Sequence, residues 1–238
     1  MKIFHVHTYR CGHAEHVPDD AYIRKAAALG ADEIWFTDHA PFPGDPFGAR
    51  MRYDELTEYV TTLRRLQAQH TDIAVHIGLE TEYFPHFDAA GYYRALREIP
   101  GLEMLLLGQH MAQISDDPPA YSFSLPRGVL DREEFVLLGT ALVQGIESGY
   151  FDAVAHPDRI FRRCGDWDAQ MQDMASAVIT AAVRAGIVLE RNLCSMESDR
   201  LYREAFWSLV PETAATVIGY DAHSLREMER RSIVHALL

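Results

Sequence analysis

Four of the twelve histidines stand close together near the start of the sequence, in the stretch FHVHTYRCGHAEH: His5, His7, His13 and His16. Imidazole nitrogens are common ligands for zinc, iron and manganese. His5 and His7 are two residues apart, so in a regular strand their side chains share one face. The same spacing links Asp221 to His223. These pairs indicate a metal site built from imidazoles and carboxylates.

The elements that must position these side chains follow a repeated pattern. Short apolar runs alternate seven times with longer helical patterns, which favours parallel strands with helices outside them. The predicted strands are KIFHVH, DEIWFTDH, IAVHIGLE, LEMLLLGQH, FDAVAHPD, GIVLERN and ATVIGYDAH. The predicted helices lie near residues 19–29, 52–69, 88–97, 131–148, 168–185, 198–209 and 224–236. With no linker or low-complexity segment, the sequence predicts a single α/β domain over residues 1–238.

Nearly every predicted strand finishes in residues that could bind a metal. They are His5, His7, Asp38, His39, Glu80, His110, His156, Asp158, Glu190, Asn192, Asp221 and His223. A parallel barrel brings the carboxyl ends of its strands to one rim, where barrel enzymes build their sites. The set is larger than one ion can use. We therefore expect a multinuclear centre of zinc, iron or manganese.

Composition excludes several function classes. The formal charge is −13 and the only lysines are Lys2 and Lys25, so a nucleic-acid polymer is not an expected partner. No run is long and apolar enough to cross a membrane, and the N-terminus lacks the apolar core of a signal peptide. Cys11, Cys164 and Cys194 form no CxxC pair, which fits a reducing compartment. We expect a cytoplasmic protein, and its oligomeric state is left open.

Motifs for other catalytic machinery are absent from the sequence. There is no GxSxG, no GxxxxGK and no GxGxxG after a strand, which leaves a metallohydrolase. Two barrel types begin with HxH on the first strand, and one, the amidohydrolase type, commonly bridges its metals with a carboxylated lysine. Lys2 and Lys25 are wrongly placed for that role, whereas Glu80 is a well-positioned bridging carboxylate on a middle strand. The pattern favours the second type.

The sequence resembles the polymerase and histidinol phosphatase (PHP) superfamily, and within it the histidinol-phosphate phosphatase branch. The stretches that carry the resemblance are HVHTYRCGHAEH, WFTDHAPFP, IGLETEYFP, GQHM, AHPDRIFRR, LERN and GYDAHS. The resemblance implies a distorted (β/α)7 barrel with three divalent metal ions. It also implies hydrolysis of a small phosphate monoester by a metal-activated hydroxide, with histidinol phosphate as the expected substrate.

The resemblance also assigns roles to individual residues. One metal would be held by His5, His7, Glu80 and Asp221. Glu80 would bridge to a second metal held by His110 and His156, and the third metal would be held by His13, His39 and His223. Glu80 and Asp221 are also expected to take part in catalysis, together with Arg162, which matches a phosphate-contacting arginine. Asp38 is expected to position a ligand.

The sequence departs from the family pattern at positions that bear on the substrate. Cys194 stands where a second phosphate-binding arginine is expected, and Arg191 or Arg200 could replace it. Gln109 stands where a serine often precedes the strand-4 histidine. A phosphotyrosyl peptide or a short nucleotide therefore remains an alternative substrate, and a non-catalytic, metal-binding PHP module an alternative function. The loop near residues 112–130 is expected to overhang the rim and shape the pocket.

Overall fold

Seven parallel strands form a closed barrel in a computed structural model, which describes residues 1–126, 128, 132–198 and 200–230. The barrel strands are β1 (Lys2–Val6), β2 (Glu33–His39), β3 (Ala74–Thr81), β4 (Met104–Leu107), β7 (Ala153–Val154), β8 (Val188–Asn192) and β9 (Thr216–Ala222). Their order is β1-β2-β3-β4-β7-β8-β9. All seven predicted strands are present, and the α/β barrel class is confirmed.

Helices follow the barrel strands: α1 (Asp19–Ala28), α2 (Leu56–Gln69), α3 (Pro85–Ala89), α4 (Tyr92–Arg97), α5 (Glu133–Ser148), α6 (Ala169–Ala185), α7 (Leu193–Met196) and α8 (Glu204–Trp207). Four long helices match their predictions closely. The predictions near 88–97 and 198–209 were wrong in extent, because short helices with irregular segments occupy these regions. Of the helix predicted over 224–236, the described part holds only a 3-10 turn at Glu227–Glu229, and residues 231–236 lie outside the described chain.

The ends of the long helices have local causes in the sequence. The Asp168 side chain accepts a hydrogen bond of 3.0 Å from the Met171 amide and so caps the first turn of α6. Gly186, at the end of the same helix, has a φ of +69°, a left-handed conformation that glycine adopts without steric cost. Gly149 ends α5 in the same way, at a φ of +76°. Both helices therefore stop where the next strand has to begin.

A short antiparallel hairpin occupies part of the predicted loop at 112–130. It consists of β5 (Gln113–Asp116) and β6 (Pro119–Tyr121). The Ala112 amide donates a hydrogen bond of 3.0 Å to Ser122 Oγ, which ties the base of the hairpin together. The predicted position of this loop over the rim stays a prediction.

The chain divides into two compact units. The first comprises residues 1–80 and 98–105 and the chain from Ile218 onward, and its core includes Phe4, Phe36 and Ile77. The second comprises residues 81–97 and 106–217, and its core includes Leu107, Phe135 and Val154. One domain over residues 1–238 stays a prediction. Within the described residues, no helix combines the length and the apolar character needed to span a membrane.

Candidate metal centre

His5 and His7 meet in the first unit along an irregular stretch of backbone. His5 has a φ of +70°, and the pairing of β1 shifts register between Ile3 and Val6 on one side and between Phe4 and Val6 on the other. Both imidazoles are fully buried, with ring centroids 4.9 Å apart. The two imidazoles do lie together, but the backbone between them is not the regular strand that the prediction assumed. A bulge with a left-handed residue, which costs about 1–3 kcal/mol, brings the rings together instead.

Two carboxylates face this histidine pair. Glu80 Oε2 lies 3.4 Å from His5 Nε2 and 3.6 Å from His7 Nε2. Asp221 Oδ1 lies 3.3 Å from His7 Nε2 and 3.8 Å from His5 Nε2. Two ligands bound about 2.1 Å from one tetrahedral ion are themselves about 3.4 Å apart. His5, His7 and Glu80 therefore form a group whose ligand atoms could meet at one ion, and Asp221 Oδ1 lies at comparable distances from both histidines.

A second group in the same unit consists of three imidazoles. The ring of His13 lies 5.3 Å from that of His39 and 4.6 Å from that of His223, and one ligand atom from each falls within 4.8 Å of the others. His13 Nδ1 lies 3.1 Å from the Cys11 carbonyl oxygen, and His223 Nδ1 lies 3.1 Å from that of Asp221. Because a carbonyl can only accept, both Nδ1 atoms donate there. Their Nε2 atoms are left with the lone pair that a metal binds.

Several buried ring nitrogens in the first unit lack a partner of acceptable geometry. In the described part of the chain, neither nitrogen of His7 nor Nε2 of His223 makes a hydrogen bond. Burying an unsatisfied polar atom costs about 1–3 kcal/mol, so these atoms need an explanation. A bound cation would satisfy them. The donor set of neutral imidazoles and carboxylates fits zinc, iron or manganese.

The electrostatics of the first unit favour a positive charge at its centre. Burial lowers the pKa of His7, but the carboxylates of Asp221 and Asp38 outweigh it and raise the pKa to about 9. Burial, reinforced by the neighbouring imidazoles of His7 and His39, lowers the pKa of His223 to about 2. The carboxylates therefore attract a cation, whereas His223 remains neutral, the form that binds a metal.

Asp38 fixes the residues around the site by hydrogen bonds. Its Oδ2 accepts from the Thr8 amide at 3.2 Å and from the Thr8 hydroxyl, and its Oδ1 accepts from the His39 amide at 2.8 Å. Oδ1 also lies 3.6 Å from His7 Nδ1. The buried guanidinium of Arg10 donates to Thr8 Oγ1 at 3.2 Å and to Asp19 at 2.9 Å. Asp38 thus has the contacts expected of a residue that positions ligands.

Cys11 lies beside this centre in surroundings that disfavour its thiolate. Its sulfur forms a group with the ring nitrogens of His7 and His223, all within 4.8 Å of one another. Burial, together with the nearby Asp38 carboxylate, raises the pKa of the thiol to about 12. Because metals bind the thiolate, Cys11 is the weakest ligand candidate in the group.

The second unit brings together the other two predicted ligands, His110 and His156, whose ring centroids are 5.1 Å apart. His110 Nδ1 lies 3.0 Å from Glu82 Oε1. His156 has a φ of +31° where the chain leaves β7, and its amide donates to Glu190 Oε2 at 3.0 Å. Sequence reasoning missed the fully buried Glu82, although its spacing two residues after Glu80 is visible.

Three strand-end residues of the second unit serve as hydrogen-bond partners of protein groups. Asp158 Oδ2 accepts from the Arg203 amide at 2.8 Å and from Trp207 Nε1 at 3.1 Å, and burial raises its pKa to about 6. Asn192 Nδ2 donates to Glu190 Oε2 at 3.1 Å, and Asn192 Oδ1 accepts from the Ser195 amide at 2.9 Å. Within the described residues, neither Asp158 nor Glu190 belongs to a group of three histidine, cysteine or acidic side chains that could meet at one ion. None of the three residues is in the ligand set that the family resemblance implies.

Arg162 follows the His156 turn and contacts the other histidine of this pair. Its Nη2 donates to the His110 carbonyl oxygen at 2.8 Å and lies 3.6 Å from Glu134 Oε1. The guanidinium is therefore held at the histidine pair, and its predicted contact with a phosphate stays a prediction.

A barrel with histidines and carboxylates gathered after its strands defines a metal-binding barrel protein. A family model described as "PHP domain" matches residues 4–193, which is most of the sequence, and the chain belongs to this family. No curated protein matches the sequence at the significance threshold.

Two solved structures share the fold. One, from Listeria monocytogenes, is named as a candidate histidinol phosphatase, hisK; it has a TM-score of 0.80 and 16% identity, over 99% of this chain and 100% of that one. The other is the histidinol phosphate phosphatase HISK of Lactococcus lactis subsp. lactis Il1403, complexed with zinc, L-histidinol and phosphate. It has a TM-score of 0.72 and 18% identity, over 99% of this chain and 92% of that one.

Proposed function

We propose that this chain is a metal-dependent phosphoesterase that hydrolyses a small phosphate monoester. The observation that carries the proposal is the buried group of His5, His7, Glu80 and Asp221, whose ligand atoms are spaced as around one ion. Membership of the PHP family supports it. So does the shared fold with a phosphatase that contains zinc, histidinol and phosphate.

The candidate ligands would hold three divalent ions. His5, His7 and Glu80 would hold one ion together with Asp221, which lies 3.3 Å from His7 Nε2, and His13, His39 and His223 would hold another. The family pattern assigns the remaining ion to His110 and His156. When bound, such ions neutralise phosphate oxygens and lower the pKa of water.

The side chains have separate tasks in the reaction. Glu80 Oε2 lies 3.1 Å from His39 Nδ1 as well as close to His5 and His7, and its proposed role is to bridge the ion held with His5 and His7 to the ion assigned to His110 and His156. Asp221 supplies a second negative charge, and Asp38 keeps its neighbours oriented. In hydrolysis the water oxygen forms a bond to phosphorus and the ester P–O bond breaks. The alcohol leaves with that electron pair and gains a proton.

Arg162 is the proposed phosphate contact. One of its N–H groups is held by the His110 carbonyl, which fixes the direction of the guanidinium. The remaining N–H groups can donate to phosphate oxygens in the forked geometry that arginine provides. This contact would place a positive charge beside the phosphate in addition to the charges of the metal ions.

Histidinol phosphate is the first substrate to test, because one neighbour contains histidinol and phosphate. Because Cys194 stands where a second arginine is expected, a phosphotyrosyl peptide and a short nucleotide should be tested beside histidinol phosphate as alternative substrates. A metal-binding PHP module without catalysis would turn over none of them.

The test is a phosphatase screen on protein whose metal content has been measured, before and after chelation and reloading. We expect turnover only of the loaded protein. His7→Asn should abolish it, whereas His76→Asn, a half-buried histidine that bonds Glu103 at 2.7 Å, should leave it unchanged. Turnover that is equal in the chelated and loaded proteins would refute the proposal.

A further inference from the structure

A cavity of about 740 Å³ in the second unit is lined by three arginines, Arg162, Arg163 and Arg200. The other described lining residues are a cysteine, a glycine, a serine and a leucine, so none of the described lining carries a carboxylate. This is unusual in a chain with 35 acidic and 22 basic residues. The cavity is thus a local concentration of positive charge in an acidic protein.

One buried carboxylate partly compensates this charge. Glu134 is 2% exposed; its Oε1 lies 3.6 Å from Arg162 Nη2, and its Oε2 lies 3.1 Å from Arg163 Nη1. Arg200 is exposed and makes no ion pair or hydrogen bond with the described part of the chain. Among the residues that the structure describes here, three guanidinium charges less one carboxylate leave two positive charges for a ligand to neutralise.

Arg162 connects the lining of the cavity with the candidate metal ligands of the same unit. The guanidinium that lines the cavity also donates to the His110 carbonyl oxygen at 2.8 Å, and His110 packs against His156. A phosphate ester whose phosphoryl group lay at these histidines would extend its alcohol part past Arg162. Resting on the phosphoesterase function proposed above, we propose that the cavity binds this alcohol part and that the alcohol part carries a second anionic group, a carboxylate or a phosphate.

The phosphoryl group alone does not explain why three arginines line the cavity. Divalent ions would already neutralise its charge, and Arg162 would supply a forked donor. Arg163 shares its carboxylate partner Glu134 with Arg162 and would be only partly compensated, and Arg200 would make no ion pair with a described residue. A cationic alcohol part, such as the protonated amine of histidinol, would be repelled by both. The lining therefore favours substrates with an anionic alcohol part over those with a cationic one.

The kinetic test uses three esters of similar size that differ in the charge of the alcohol part. Phosphoglycolate carries a carboxylate, ethyl phosphate is neutral, and phosphoethanolamine carries an ammonium. We expect kcat/KM of the metal-loaded protein to fall by about tenfold at each step in that order, mainly through KM. Comparing 1,3-propanediol bisphosphate with 3-hydroxypropyl phosphate shows whether a second phosphate acts as the carboxylate does.

Substitutions locate the preference in the cavity. Arg200→Gln and Arg163→Gln should each reduce the ratio of kcat/KM for phosphoglycolate to that for ethyl phosphate by about tenfold. Arg94→Gln, which removes an exposed arginine of α4, is the matched control and should leave that ratio unchanged. Arg200 makes no contact with the described chain that its loss could disrupt, so this variant is expected to fold.

Binding of non-hydrolysable analogues separates this inference from the proposed function. Calorimetry with 3-phosphonopropionate, propylphosphonate and 3-aminopropylphosphonate should give affinities in the same order as the esters. If no ester is turned over but the affinities keep this order, the phosphatase proposal fails and the anion-binding cavity stands. Equal affinities, or tighter binding of the aminophosphonate, overturn the inference even if esters are hydrolysed.

Discussion

Polar residues follow the strands of both units, yet they are used differently. In the first unit His7 and His223 bury ring nitrogens that make no hydrogen bond with the described residues, and carboxylates surround them. In the second unit Asn192 bonds Glu190 and the Ser195 amide, and Asp158 Oδ2 bonds the Arg203 amide and Trp207 Nε1, although Asp158 Oδ1 makes no hydrogen bond with the described residues. A single unsatisfied polar atom after a strand therefore does not identify a ligand. What distinguishes the candidate ligands is that several unsatisfied imidazole nitrogens lie together and face carboxylates.

The largest effect that tests this comparison is expected from Glu80→Gln. The change removes a negative charge that faces three imidazoles while it keeps the size of the side chain. We expect fewer bound metal ions and a loss of about 10²–10³-fold in kcat. Metal analysis and steady-state kinetics check this. Glu103→Gln alters a carboxylate elsewhere in the same unit and is the control; unchanged metal content in both variants would contradict the assignment.

A smaller loss is expected from Asp38→Ala. Asp38 contacts the amides of Thr8 and His39 and lies 3.6 Å from His7 Nδ1, so it orients the site without being assigned as a ligand. Removing such a partner costs about 10–100-fold in metal affinity. Competition with a fluorescent chelator measures this affinity. An affinity equal to that of the wild type would show that Asp38 has no positioning role.

In the second unit, we expect Asp158 to affect how the free energy of unfolding depends on pH. Burial raises the pKa of Asp158 to about 6 from an ordinary value of 3.8, so the folded state binds more protons than the unfolded state between those values. The wild type should therefore be most stable, as far as this group is concerned, at pH below about 4. It should lose about 3 kcal/mol as the pH rises to about 6. Asp158→Asn cannot titrate and should lack this change.

Denaturant unfolding of the chelated proteins between pH 4 and 7 measures the difference between wild type and Asp158→Asn. Using chelated protein removes the separate effect of protons competing with metals. The variant should also bind as much metal as the wild type. A loss of metal in Asp158→Asn would place this residue with the ligands and would remove the contrast between the two units.

The sequence was informative where side-chain type and period both repeat. The barrel strands and the long helices α1, α2, α5 and α6 were predicted because their apolar residues recur over enough positions to define a period. The hairpin of β5 and β6 and the short helix α7 were missed, and α8 was predicted too long, since three or four residues are too few for a period to emerge. The candidate ligands could be recognised in the sequence because most of them stand at the end of a predicted strand.

Backbone conformation at the site could not be predicted. His5, His156 and Asp221 all adopt positive φ angles, at +70°, +31° and +49°. Histidine and aspartate are enriched among the few non-glycine residues with positive φ, but this preference is too weak to mark single positions, and tertiary packing imposes the conformation here. The hydrogen-bond partners of Asp158 come from residues 203 and 207, far along the chain, which is why its structural role was not evident.

The central claim is that the buried imidazoles and carboxylates of the first unit are metal ligands. Anomalous diffraction from crystals of the metal-loaded protein, measured on both sides of the zinc, iron and manganese absorption edges, tests it most directly. The account predicts one peak within bonding distance of His5, His7, Glu80 and Asp221 and another within bonding distance of His13, His39 and His223. Peaks confined to other residues of a fully loaded protein would contradict it.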